Sequence, residues 1–345
     1  MDYKALDGRG LPAASSRSTM LRNVLSLHPA LSNGTAETIG GVEARLLEVS
    51  RRAPDRLREP VFEALSAGGK RLRPLLVVLS ARMGVPEESV LVRAAAAVEV
   101  LHTATLIHDD IVDRAASRRG RPTTVAGYGR ETAVAVGDFL FAEAFGELAA
   151  VGDPRLVRVM AEAAAELASG ELKQFRASGE LLDVDAYMEH IRMKTAGLFR
   201  AACVAGGTLG GLSLRQVDSL ATYGQSLGVA FQMTDDVIDL VGKPGRMGKD
   251  VGSDLAEGTV TLPIIFALQE GDGEAIRRVL LDPDPAPEDL AAAIAAVRAT
   301  SAIERTESRA RDEVESAISG LTELPDTPER RILEAIASKV VGRDA

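Results

Sequence analysis

The stretch LVRAAAAVEVLHTATLIHDDIVD, residues 91–113, decides the fold. Its apolar residues recur at helical spacing and on nearly every side, which describes a helix buried in a core. Yet it ends in Asp109, Asp110 and Asp113, and the RRGRP segment beyond it carries Arg118, Arg119 and Arg121. Residues four apart share a helix face, so Asp109 and Asp113 project side by side, about 6 Å apart along the axis. Like charges at that spacing destabilise a helix by a few tenths of a kcal/mol, and by far more when desolvated. Something must neutralise them.

Outward from this stretch the chain reads as helix after helix, with Ala, Leu and Val dominant, few aromatics and no tryptophan. Amphipathic or apolar periods recur at VEARLLEV, RPLLVVLSARMG, GDFLFAEAFGELAA, LVRVMAEAAAELASGELKQF, MKTAGLFRAACVAGG and LRQVDSLATYGQSLGVAFQMTDDVIDLVG. Amphipathic helices return in the last fifty or so residues. Short Gly, Pro and Asp loops join these segments, and nothing between about 40 and 340 reads as a linker. The expectation is an all-α protein, a large single-domain helical bundle over residues 37–345. Residues 1–36 are rich in Ser, Gly and Pro without periodicity and read as a disordered or loosely packed extension.

Composition excludes several classes. A net charge of −10 argues against nucleic acid as a partner. No run reaches the roughly 18 apolar residues of a membrane span, and the N-terminus lacks an apolar signal core, so a cytoplasmic protein without a span is expected. The single cysteine, Cys203, forms no intrachain disulfide and reads as a small buried hydrophobe.

The acidic motif has an echo. HDDIVD at 108–113 and TDDVIDL at 234–240 share the order Asp-Asp-apolar-apolar-Asp. Asp235 and Asp239 therefore share a face, as Asp109 and Asp113 do. Either motif alone is as readily a solvated acidic face, but both sit on strongly apolar helices. Back from Asp109 the face carries Thr105 and His102, and back from Asp235 it carries Gln232 and Gly228. Oxygen ligands with no matching His/Cys cluster suit a hard cation, and Mg²⁺ typically takes one or two carboxylates with water or substrate phosphate. A bridging cation also explains how so acidic a chain could bind an anionic phosphate.

Cationic segments accompany both motifs. GGKRLRP at 68–74 supplies Lys70, Arg71 and Arg73, MKT supplies Lys194 followed by Thr195, and GKPGRMGKD supplies Lys243, Arg246 and Lys249 on a glycine-rich loop. Any one of them could be a surface patch, but their repeated placement beside carboxylates favours phosphate binding. His102 is open between a satisfied core histidine and a diphosphate contact, and Gln174 between surface and site.

In this order GGKRLRP, LHTATLIHDDIVD with RRGRPT, GDFLF, GELKQ, MKTAGLF, GVAFQMTDDVID and GKDVGSDLAEGTVTLP resemble the trans-isoprenyl diphosphate synthase family, from about residue 40 to the end. The resemblance implies the type I isoprenoid synthase fold around a central cavity, usually as a homodimer. It implies condensation of isopentenyl diphosphate with an allylic diphosphate using two or three Mg²⁺ ions. Carried over position by position, Asp109, Asp113, Asp235 and nearby Asp239 would hold metal. Lys70, Arg73, His102 and Arg119 would bind isopentenyl diphosphate, and Arg118, Lys194, Thr195, Gln232 and Lys249 the allylic diphosphate. Lys339 stands where relatives often carry an aromatic, and the N-terminal extension has no counterpart.

Product length is read along the helix face before Asp109. Thr105, Ala104 and Leu101 line it with no Phe or Tyr, and in this family small residues at 104 and 105 resemble the medium- and long-chain synthases. Phe139, Phe141 and Phe145 on the following helix are either a tunnel floor or ordinary core. The alternatives are a short-chain farnesyl or geranylgeranyl diphosphate synthase, a non-catalytic partner subunit of a heteromeric synthase, or a class I terpene cyclase, which the scarcity of aromatics disfavours. A dicarboxylate-bridged metal oxidase would need Glu-x-x-His pairs, and none occurs.

Overall fold

The structure, a computed structural model, describes residues 33–67, 71–118, 120–172, 183–242, 251–271 and 273–342. In chain order α1 is Asn33–Arg52, α2 Asp55–Ser66, α3 Leu72–Arg82 and α4 Glu88–Val112. A two-stranded ribbon follows, β1 Ser117–Arg118 against β2 Arg121–Pro122, then α5 Thr124–Tyr128, α6 Arg130–Val151 and α7 Pro154–Leu172. Next come α8 Val184–Ile191, a π-helical turn Arg192–Ala196, α9 Gly197–Leu209 and α10 Leu214–Val241. The chain ends with α11 Ser253–Ala256, α12 Leu262–Glu270, α13 Glu274–Leu281, α14 Pro287–Arg298, α15 Ala302–Gly320, a 3₁₀ turn Leu321–Glu323 and α16 Pro328–Val341.

Local chemistry sets these boundaries. A capping box opens α10, the Ser213 hydroxyl accepting from Gln216 N while the Gln216 side chain accepts from Ser213 N. Asp183 caps α8 by accepting from Ala186 N at 2.7 Å. Thr327 caps α16, with Pro328 at its first position. At the ribbon, Gly120 takes φ +73°, a left-handed turn conformation that a residue without Cβ adopts at no steric cost.

Apolar burial falls into two clusters. One joins α1–α4, α6, α7, α9, the first half of α10 and the C-terminal helices. The other joins α8, the π turn, the second half of α10 and α12–α14 with the start of α15. Helix α10 binds them together, burying Leu220, Tyr223 and Leu227 in the first and Met233 and Leu240 in the second. The helical bundle expected from periodicity is therefore present, with the ribbon as a small addition.

Two expectations are corrected. Helix α1 begins at Asn33, inside the stretch assigned to the extension, because Thr35 and Thr38 are buried and fix the first turn; residues 1–32 lie outside the described residues. Helix α4 is also long and apolar enough to cross a membrane, with a mean hydropathy of 1.6 over its best 18-residue window. Most of that window is buried inside the fold, so its apolarity is used in packing, from Leu91 and Ala94–Val98 down to Ile107.

Candidate active site

The first acidic motif forms the C-terminal end of α4. Asp109 and Asp113 are half-buried one turn apart, with Asp113 N donating to Asp109 O at 2.8 Å. Asp110, between them, is buried and accepts from Arg118 Nε at 2.8 Å. This bond ties the ribbon to the helix end, and Thr123 strengthens the turn by donating its hydroxyl to Ala115 O at 2.6 Å. One and two turns before Asp109 lie Thr105, whose hydroxyl bonds back to His102 O, and His102 itself. Arg73 Nη1 lies 3.0 Å from His102 Nε2, and its guanidinium stacks 4.4 Å from the centre of the Phe199 ring.

The π turn supplies the opposite chemistry. Its i→i+5 pattern inserts an extra residue between α8 and α9, a distortion that recurs at functional sites. Lys194 Nζ pairs with Glu171 of α7 at 2.8 Å. Thr195 Oγ1 donates to Gln232 Oε1 at 2.8 Å, and Gln232 Nε2 donates to Asp236 Oδ1 at 2.8 Å. The buried Tyr187 hydroxyl donates to the other Asp236 oxygen at 2.5 Å. Asp235 and Asp239 flank this core half-buried, and Asp239 accepts from Ser253 N, Ser253 Oγ and Asp254 N, capping α11.

Electrostatics concentrate at both motifs. Burial, then the Glu171 charge, pushes Asp109 up to about 7, while Lys194 and Arg118 oppose them and Asp113 adds to the rise. Burial likewise raises Asp236 to about 7 against the hydrogen bonds of Tyr187 and Gln232, with Asp235 and Asp239 adding to the rise. Burial, then Lys194, lowers His190 to about 4. Negative charge is thus packed at a desolvated site, where a divalent cation would relieve it. The donors are carboxylate oxygens, which suits a hard cation. Among the described residues no three His, Cys, Asp or Glu side chains cage an ion by themselves, and Mg²⁺ usually completes its shell with water and phosphate.

The geometry brings together Asp109, Asp113, Arg118 and Lys194, and separately Thr195, Gln232 and Asp236 beside Asp235. Arg73 and His102 form their own pair. Arg71 leaves the expected basic cluster: it is buried, pairs with Glu43 and Glu99 at 2.7 Å each and donates to Leu65 O, because its left-handed φ of 47° turns it away from Arg73. Lys70, Arg119, Gln174, Lys243, Arg246 and Lys249 lie outside the described residues. Leu101, Ala104 and Thr105 are all buried in α4. Phe139, Phe141 and Phe145 pack against the core, Phe141 stacked 5.4 Å from His108, and Lys339 is exposed on α16. Sequence reasoning missed Glu171 and the Tyr187–Asp236 bond. The only signal for either was an acidic residue in GELKQ and a tyrosine seven residues before Lys194.

An all-α bundle with paired aspartate motifs and a lysine–threonine turn defines the class of trans-prenyltransferases. Residues 54–297 match the polyprenyl synthetase family, and the chain belongs to it. It is 37% identical over 313 residues to octaprenyl diphosphate synthase of Escherichia coli (strain K12), covering 90% of this chain and 97% of that one. It is 34% identical over 318 residues to heptaprenyl diphosphate synthase component 2 of Geobacillus stearothermophilus, covering 91% and 98%. A crystal structure of polyprenyl synthase from Caulobacter crescentus CB15, complexed with calcium and isoprenyl diphosphate, superposes with a TM-score of 0.85 at 34% identity over 94% of this chain and 98% of that one. This membership bears out the resemblance and sets aside the cyclase and the metal oxidase.

Proposed function

We propose that the protein condenses isopentenyl diphosphate with an allylic diphosphate, head to tail and with Mg²⁺, to make an all-trans polyprenyl diphosphate of medium to long chain. The observation that carries this reading is the meeting of Asp109 with Asp113, Glu171, Lys194 and Arg118, a carboxylate cluster with cations on two sides. Two or three Mg²⁺ ions, when bound, supply positive charge that stabilises the departing pyrophosphate. Asp109, Asp113 and Asp235 hold them, with Asp239 close by. Arg118, Lys194 and Lys249 hold the allylic diphosphate, while Lys70, Arg73, His102 and Arg119 hold isopentenyl diphosphate. As the allylic carbon–oxygen bond breaks, Thr195 and Gln232 present oxygens to the growing positive charge. The isopentenyl double bond forms the new carbon–carbon bond, and the released pyrophosphate takes the proton. No protein nucleophile is needed.

The chain from Asn33 onward is the catalytic domain on this reading, acting as a homodimer in the cytoplasm without nucleic acid. The small side chains of Ala104 and Thr105, and the octaprenyl and heptaprenyl relatives, support a product beyond the short-chain range. Each added CH₂ buried contributes about 0.8 kcal/mol, so elongation stops where burial does. Labelled isopentenyl diphosphate incubated with each allylic primer and Mg²⁺, followed by product chromatography, tests the reading. Farnesyl or geranylgeranyl diphosphate as the sole product would refute the chain length. Likeness to a synthase component favours a second reading, a subunit inactive alone, which absence of turnover with every primer would support.

A further inference from the structure

We propose that Tyr187 and Asp236 are positioning residues which fix the hydrogen-bond polarity of Gln232 and Thr195, the two groups that face the allylic charge. The inference rests on the prenyltransferase reading of this site.

Tyr187 lies on α8, Thr195 on the π turn and both Gln232 and Asp236 on α10, so one chain of bonds joins three elements. Its members run Tyr187 Oη to Asp236 Oδ2 at 2.5 Å, Gln232 Nε2 to Asp236 Oδ1 at 2.8 Å, and Thr195 Oγ1 to Gln232 Oε1 at 2.8 Å. Tyr187 is 3% exposed and Asp236 2%, so solvent does not substitute for either.

The direction of each bond follows from the one before it. A carboxylate accepts, so the face of Gln232 turned toward Asp236 must be its NH₂ group. The amide carbonyl then points at Thr195, and the hydroxyl of Thr195 must donate to it. The lone pairs left on Thr195 Oγ1 and Gln232 Oε1 are thereby electronegative ends fixed in advance. Oriented oxygen dipoles of this kind stabilise positive charge without reorganising during the reaction. Without Tyr187, Asp236 loses one of its two fixed donors, and the carboxylate that receives the Gln232 amide is itself no longer held in place. A flipped amide would turn a donor toward the same charge.

A second buried tyrosine supplies the reference. Tyr223 is fully buried and donates to Leu333 O at 2.7 Å, in the other half of α10 and away from this chain of bonds. Tyr187→Phe, Tyr223→Phe, Thr195→Ala and the Tyr187→Phe/Thr195→Ala double variant of the full chain are compared at mildly alkaline pH by steady-state incorporation of isopentenyl diphosphate, with thermal unfolding in parallel. Tyr187→Phe is expected to lower kcat about tenfold, as loss of an orienting outer partner does, with KM for isopentenyl diphosphate within about twofold of wild type. Tyr223→Phe keeps kcat. In the Thr195→Ala background the Tyr187 change costs less than about twofold further, because coupled groups are not additive. If Tyr187→Phe does not accumulate folded, Asp236→Asn, which places an amide donor where the chain of bonds needs an acceptor, takes its place against the same references. A kcat equal to that of Tyr223→Phe, or an undiminished loss in the Thr195→Ala background, overturns the positioning role. A wild-type protein without turnover overturns the reading of the site itself, before any variant is compared.

Discussion

Substituting Gly228 by Ala tests the geometry of the site without removing any of its functional groups. Gly228 lies one turn before Gln232 on α10, where that helix crosses the π turn. An added methyl would sit 2.6 Å from Ala196 Cα and 2.8 Å from Ala196 Cβ. Carbon atoms pack at about 3.5–4.0 Å, so α10 and the π turn must part by about 1 Å. The obstacle is backbone, which cannot swing aside. The Thr195–Gln232 bond, now 2.8 Å, would lengthen past the limit of a hydrogen bond. A misplacement of about 1 Å costs about 10²-fold in rate, and overpacking costs about 1–3 kcal/mol, or a few degrees in Tm for a chain of this size. Initial rates of isopentenyl diphosphate incorporation and thermal unfolding measure both. Gly40→Ala is the control, since a methyl at that exposed helical position meets nothing within 4 Å and should raise stability by about 0.5–1 kcal/mol without touching activity. If Gly228→Ala keeps wild-type kcat and Tm, the close crossing is not what holds Thr195 against Gln232, and the reasoning fails.

Two further outcomes follow from buried ionisable groups. Burial works to raise Glu147, but hydrogen bonds and charge from Arg45 and Arg52 outweigh it and hold the carboxyl below its usual range, with Arg93 at 3.0 Å. Because the folded value is depressed, its contribution is full above the unfolded pKa of about 4.3 and is lost as pH falls through the folded value. Glu147→Gln should therefore unfold at a lower temperature than wild type at neutral pH, with the gap closing in acid; a gap that does not change with pH would refute this. Burial pushes the Cys203 thiol up to about 12, with the nearby Ser80 hydroxyl opposing the rise. Native protein should show no reaction with a thiol reagent at neutral pH and one thiol in guanidinium, whereas prompt native labelling would refute the buried placement.

The helices and the aspartates were legible because both depend on periods local to the chain. An i, i+4 spacing on an apolar helix states which carboxylates share a face, and α4 and α10 keep that register to their ends. The π turn was not legible, since an inserted residue in a helix leaves no period of its own, yet it sets the position of Lys194 and Thr195. Arg71 and Arg73 look equivalent in GGKRLRP, and only a left-handed residue separates them. One is drawn into Glu43 and Glu99, the other stacks on Phe199 beside His102. Glu171 is closest to the same limit. Its pairing with Lys194 joins residues from α7 and the π turn, and a contact made by tertiary packing has no spacing to read.

The same contrast explains why each acidic motif has two adjacent aspartates when an i, i+4 pair would suffice to share a face. Successive residues on a helix are rotated by about 100°, so the middle aspartate of each motif leaves the face of the outer two and turns into the packing. Asp110 there binds Arg118 and fixes the ribbon, while Asp236 binds Tyr187 and Gln232 and fixes the amide. Both middle residues are buried, at 5% and 2% exposure, and both outer pairs are half-buried. The two motifs then diverge at their last position. Asp113 ends α4 as its C-terminal cap residue, whereas Asp239 accepts three hydrogen bonds from the start of α11. An identical carboxylate order therefore ends a helix on α4 and anchors the start of the next one on α10, although the two sequences read alike.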